Sequence, residues 1–122
     1  MPLTVAALRK YLAHCEGDEH VIIAATLSDG TAGAVEPGSV TLPICAAVID
    51  ELVTVSEAEI AGAMRAIAET ERWMVEGAAG VAMAGLVKLA PAYRGRKVAV
   101  VICGRNIALA TFLAAVGGLD NG

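Results

Sequence analysis

Hydrophobic and polar positions along the chain follow two periods, one near 3.6 residues and one of unbroken apolar runs. From Leu3 to His14, Val5, Leu8 and Leu12 share one side while Arg9 and Lys10 take another, which predicts a helix that Gly17 and Asp18 break. Val21 to Ala25 is a short apolar run suited to a strand, although its length alone does not separate strand from helix. Leu27 to Ser39 has no periodicity and is rich in Gly, Ser, Thr, Asp and Pro, the composition of a loop or of a binding-site wall.

A helix is expected from Pro43 to Leu52, with proline in its first turn, and Val53 to Val55 suits a brief buried strand. The sharpest local signal is Ser56-Glu57-Ala58-Glu59, a capping box. The Ser56 hydroxyl accepts from the Glu59 amide, and the Glu59 carboxylate accepts from the Ser56 amide. The helix behind it carries Ile60, Met64, Ile67 and Ala68 on one stripe, with Glu57, Arg65, Glu69 and Arg72 elsewhere. Gly77 to Ala90 reads as a helix of small residues buried on most sides, ended by Pro91 and Gly95. Lys97 to Cys103 contains the unbroken run Val98-Ala99-Val100-Val101-Ile102, the pattern of a central parallel strand. Gly104 then turns the chain, Asn106 is placed as an N-cap, and Ile107 to Val116 forms the last helix before a frayed tail, residues 117–122.

Strands alternating with helices define an α/β fold, an open and mainly parallel sheet flanked by helices. One good strand and two or three weak ones are too few for a complete sheet, so residues 1–122 are read as a single partial domain. Composition agrees with helices on buried strands: 57% of residues are hydrophobic but only 3% aromatic, leaving Ala, Val, Ile and Leu to fill the interior. The net charge of −4, with no basic run, argues against a nucleic-acid partner. No apolar stretch reaches a membrane-spanning length and Met1–Lys10 lacks the layout of a signal peptide, so no membrane partner and a cytoplasmic location are expected. Cys15, Cys45 and Cys103 form no CxxC pair, and His14 and His20 have no ligand spacing with them, so neither a disulfide framework nor a metal site is expected.

Three segments in fixed order carry a resemblance. They are Thr26-Leu27-Ser28-Asp29-Gly30-Thr31-Ala32-Gly33 with Glu36-Pro37-Gly38-Ser39; Val53 to Ile60 continuing to Val75-Glu76-Gly77-Ala78-Ala79-Gly80-Val81-Ala82; and Val100-Val101-Ile102-Cys103-Gly104-Arg105-Asn106-Ile107. Together they resemble the C-terminal half of the large domain of fold-type-II pyridoxal-phosphate enzymes, specifically threonine dehydratases and their serine racemase relatives. The resemblance implies that Cys103 meets the pyridine nitrogen of the cofactor. A neutral thiol there offers a hydrogen to an unprotonated nitrogen, whereas a carboxylate would hold it as a pyridinium. Taken alone, Cys103 reads as a small buried hydrophobe. Glu76 matches a family glutamate near the cofactor ring, and reads equally well as a helix N-terminal carboxylate favoured by the dipole. Gly33 falls where relatives bring backbone close to the cofactor, and is also an ordinary turn glycine.

The resemblance also marks what is missing. The family's covalent lysine lies in a Ser-x-Lys-x-Arg-Gly-Ala-like motif, and Lys10, Lys88 and Lys97 have no such context. The glycine-rich phosphate loop and the acidic metal-site motif of relatives have no counterpart either. Arg105 replaces the second glycine of the family turn, at a cost of about 1 kcal/mol if the backbone there has positive φ. Three readings follow. The first is a truncated threonine/serine dehydratase-like chain with no catalytic residue, to which pyridoxal phosphate does not bind unaided. The second is a non-catalytic interaction module, either a homo-oligomer or the complement of a separate N-terminal chain. The third is an unrelated α/β domain.

Overall fold

The computed structural model describes residues 3–4, 26–31 and 38–118. The chain divides into two compact units, one comprising Met1–Ala24 and Gly33–Thr54, the other Ala25–Ala32 and Val55–Gly122. In the first unit β1 (Leu3–Thr4) pairs antiparallel with β2 (Glu51–Leu52), placing Leu3 opposite Leu52 and Thr4 opposite Glu51. Between them in sequence lies helix α1 (Thr41–Val48). It enters from Gly38, whose φ of +78° a side chain would oppose, and the Ser39 and Thr41 hydroxyls share a 2.8 Å hydrogen bond at its start. Val40, Ile44 and Val48, spaced four apart, are all exposed on one face of this helix.

The second unit is built on an antiparallel hairpin of α2 (Glu57–Glu71) and α3 (Gly77–Leu89), followed by a 3-10 turn at Ala90–Tyr93 and by α4 (Leu109–Gly117). The capping box forms as the sequence predicts: the Glu59 amide donates to the Ser56 hydroxyl at 3.2 Å, and the Ser56 amide to the Glu59 carboxylate at 2.6 Å. Ile60, Met64 and Ile67 are buried, as their stripe requires, and close on Val75, Ala79 and Phe112 to make the core. Small residues set the helix spacing. A β-carbon on Gly80 would lie 2.8 Å from Met64 Cγ and 3.0 Å from Ile60 Cγ2, so α3 needs a bare backbone to approach α2 this closely. At the far end Lys88 Nζ reaches the Glu59 carboxylate at 3.2 Å, tying the end of α3 to the start of α2.

Several expectations need correction. Lys97–Cys103 forms no strand; residues 94–108 contain turns and irregular backbone, with Val98 and Val101 exposed. The mainly parallel sheet is therefore not seen, and the described residues contain only the two-stranded antiparallel pair. The reason is cooperative: an apolar run becomes a central strand only where neighbouring strands accept its hydrogen bonds. The helix expected at Pro43–Leu52 is shifted to Thr41–Val48, because Glu51–Leu52 pairs with β1; Val53–Val55 belongs to no strand. The last helix begins at Leu109 rather than Ile107, its N-cap is Ala108, and Asn106 caps nothing. Helix α3 is buried along one face, through Gly77, Ala79, Gly80, Ala84 and Gly85, while Val87 and Lys88 are exposed. The helix expected to start at Leu3 begins instead in β1; its remainder, the Val21–Ala25 run and residues 119–122 lie outside the described residues.

The two carboxylates at the start of α2 make the stability of this hairpin pH-dependent. Glu59 is held below the ordinary value of 4.5 first by the Ser56 amide and then by Lys88; Glu57 is lowered by the Leu27 amide and then by the Thr26 hydroxyl. Depressed folded-state values mean that both contributions are complete above that ordinary value and disappear as pH falls through the folded-state values. Denaturation midpoints followed from neutral to acid pH should stay level and then drop on the acid side. Glu59→Gln, which keeps an acceptor oxygen for Ser56 but loses the charge, should flatten part of that drop.

Candidate functional site

The site grows from the connector between α2 and α3. Helix α2 ends at Arg72, which takes the left-handed conformation at φ 61° and donates its amide to the Ala68 carbonyl at 3.1 Å. This reverses the chain, leaving Trp73 and Met74 partly exposed and driving Val75 wholly into the core. Glu76 follows as N-cap of α3, with extended backbone at ψ 166°. Its carbonyl accepts from the Ala79 amide at 3.1 Å and the Gly80 amide at 3.2 Å. Its carboxylate makes no capping hydrogen bond, yet it stands at a helix N-terminus, where the dipole favours a negative charge.

Glu76 is also turned toward the third motif. Its amide donates to the Gly104 carbonyl at 3.2 Å, and its carboxylate covers Gly104 so closely that a β-carbon there would coincide with it. Cys103, the preceding residue, is exposed rather than buried, which removes the reading of it as a core hydrophobe. Its thiol is free. Arg105 does not have positive φ, so the strain foreseen for an arginine in this turn does not arise; its guanidinium lies over the Trp73 ring, 5.0 Å from the centroid.

The first motif reaches the same place from the other side. Thr26–Thr31 folds into a tight turn: Ser28 donates its amide to the Thr26 hydroxyl at 3.1 Å, Thr31 returns its amide to the Ser28 carbonyl at 3.0 Å, and the Ser28 and Thr31 hydroxyls are hydrogen-bonded. Glu57 fixes this turn to α2, accepting from the Thr26 hydroxyl at 2.5 Å and the Leu27 amide at 2.7 Å. The turn then presses on the first residue of α3, where a β-carbon on Gly77 would collide with the Leu27 carbonyl. The three motif segments thus converge on Glu76-Gly77. Gly33 lies outside the described residues.

The fold brings Glu76 to Gly104, the residue that follows Cys103. The Trp73–Arg105 contact, the role of Glu57 and the need for glycine at 77 are not foreseen by the motifs. A signal for the first did exist, in a sole tryptophan preceding the glutamate and an arginine following the glycine.

The chain belongs to the family of pyridoxal-phosphate dependent enzymes, whose profile matches residues 2–104. Among curated proteins it is 37% identical over 107 residues to an L-threonine ammonia-lyase of Thermotoga maritima, covering 88% of this chain and 25% of that one. An L-threonine ammonia-lyase of Geobacter sulfurreducens is 38% identical, covering 79% of this chain and 24% of the relative. The catabolic L-threonine dehydratase of Escherichia coli K12 is 35% identical, with 78% and 29% covered. The chain therefore spans roughly a quarter of the length of the relatives it matches. No solved structure matches it.

The family's group requires a covalent amine, a phosphate cradle and a partner for the ring, and the described residues do not fit it as a whole. Lys88 is ion-paired to Glu59, about 16 Å from the start of α3 at the usual helical rise. Lys97 is exposed in the irregular segment, and Lys10 lies outside the described residues. The described backbone offers no run of glycine amides to receive a phosphate. Glu76 and Cys103 amount to one wall. No three His, Cys, Asp or Glu side chains converge as metal ligands among the described residues, and no described helix is long and apolar enough to cross a membrane.

Replacing the two contact glycines separates rigid from movable neighbours. Gly77→Ala meets a backbone carbonyl and should cost about 1–3 kcal/mol in urea denaturation. Gly104→Ala meets a side chain that can swing away and should cost less. In a Glu76→Ala background the Gly104→Ala cost should vanish; an unchanged cost would show that the two residues do not touch.

Proposed function

We propose that this chain is a threonine/serine dehydratase-like segment, the C-terminal part of a large catalytic domain, which does not turn over substrate unaided. The observation that carries this reading is the convergence of three family motifs on Glu76-Gly77, with the Cys103 thiol exposed beside Gly104. By the family resemblance, Cys103 and Glu76 are the residues that would hold the ring of pyridoxal phosphate in the complete enzyme, and Gly33 is the further residue which that resemblance assigns to the cofactor. The reaction of the whole is deamination of L-threonine or L-serine to a 2-oxo acid and ammonia, in keeping with the names of the relatives. The covalent amine and the phosphate cradle have no matching motif within residues 1–122. The site of action is the cytoplasm, with no nucleic acid or membrane as partner.

The second reading, an interaction module, rests on exposed apolar side chains. Val98 and Val101 are 47% and 74% exposed in a run whose composition suits a buried strand. Leu109 and Leu113, one turn apart on α4, are also exposed, as is the Val40–Ile44–Val48 face of α1. Such side chains favour a second copy or a complementary N-terminal chain that supplies neighbouring strands, turning Lys97–Cys103 into part of a mainly parallel sheet.

Mixed with pyridoxal phosphate, the purified 122-residue chain is expected to show no absorbance band of a lysine-bound cofactor, and to release no 2-oxo acid from threonine or serine. Either signal would overturn the first reading. For the second, light scattering after size exclusion should give a mass above 12.4 kDa, alone or with an added N-terminal segment of a relative. A persistent monomer that binds no hydrophobic dye would defeat it.

A further inference from the structure

We propose that Trp73 and Arg105 form a clasp that positions the Cys103–Gly104 turn against Glu76. The need for one follows from the backbone: residues 97–108 contain no regular element, so no helical or sheet periodicity fixes the place of Cys103. What holds the segment is a small number of attachments. Ile102 and Ile107 pack, partly buried, on the core from either side of the turn. The Ile107 amide closes back on the Arg105 carbonyl at 3.1 Å, and Gly104 accepts the Glu76 amide at 3.2 Å. Between these, Cys103, Arg105 and Asn106 are exposed, Gly104 is half-buried beside the Glu76 carboxylate, and the Arg105 guanidinium lies over the Trp73 ring.

The platform it grips is well fixed. Trp73 follows Arg72, locked in the left-handed conformation by its bond to Ala68, and stands two residues before Val75, which is 0% exposed. The backbone that carries the indole is thus fixed on both sides, while the side chain is 43% exposed and presents a face to the guanidinium. Arginine suits this place better than an aliphatic residue, since its planar guanidinium stacks on an aromatic face while its edge stays hydrated. Because 73 and 105 are close in sequence to 76 and 104 respectively, closing one contact lowers the cost of closing the other. Trp73 and Arg105 are therefore positioning residues for the turn that presents Cys103, and their role does not require a bound cofactor.

The single tryptophan makes the clasp directly readable in the full 122-residue chain. In the wild type, the guanidinium over the ring should make iodide a better quencher of Trp73 emission than caesium. Arg105→Met, which keeps length but removes charge, should lower the ratio of iodide to caesium quenching, and Arg105→Lys should largely preserve it. Amide hydrogen exchange provides the second measurement: exchange at Glu76 should accelerate about two- to fivefold in Arg105→Met and in Trp73→Leu, the range expected for an exposed cation–π contact. Exchange at Ile60, Met64 and Ile67 should not change, and Arg105→Lys should restore slow exchange at Glu76. The proposal is overturned if Arg105→Met leaves the quenching ratio and the Glu76 rate at wild-type values. It is equally overturned if acceleration extends uniformly into α2, because the pair would then contribute general stability and not position.

Discussion

The described part of the second unit depends on one close approach, that of the Leu27 carbonyl to the first residue of α3. Gly77 has no side chain, so the 26–31 turn can rest directly on the helix N-terminus. Immediately before it, Glu76 spends its backbone carbonyl on the helix and its amide on Gly104. Two successive residues thereby join three distant stretches of sequence. Val75, entirely enclosed beside them, ties the junction to the Ile60–Met64–Ile67 core. A side chain at 77 would push the turn away, and with it the anchor that Glu57 provides through Thr26 and Leu27.

What could be read in the sequence depended on range. The Ser56 capping box and the Ile60–Met64–Ile67 stripe are encoded within a few residues, and both occur as their spacing implies. Glu76 and Cys103 are legible only through family motifs, and the fold brings Glu76 to the residue next to Cys103. Lys97–Cys103 forms no strand here because an apolar run states only a preference for burial, and a strand also needs partners that local sequence does not display. Asn106 failed as a cap for a related reason. A capping residue marks where a helix can begin, but the partly buried Ile107 continues the irregular chain toward the core and the helix starts later, at Leu109.

Arg105 shows how a departure from a family pattern can be absorbed. The substitution is costly only where the backbone has positive φ, and here it does not. The long side chain has an aromatic face to lie on, so this turn accepts arginine without backbone strain. Membership of the pyridoxal-phosphate family and possession of a complete cofactor site are accordingly separate properties. The first rests on the match over residues 2–104, and the second would need groups that the described residues do not contribute.

Glu59 serves two ends of the same hairpin, with one carboxylate bonded to the Ser56 amide and to Lys88. Starting α2 and closing α3 onto it are consequently linked events, and each lowers the entropic barrier to the other. The residues involved lie near one another along the polypeptide, so this hairpin is suited to nucleate folding, providing a scaffold on which the non-local Leu27 and Gly104 contacts are made afterwards.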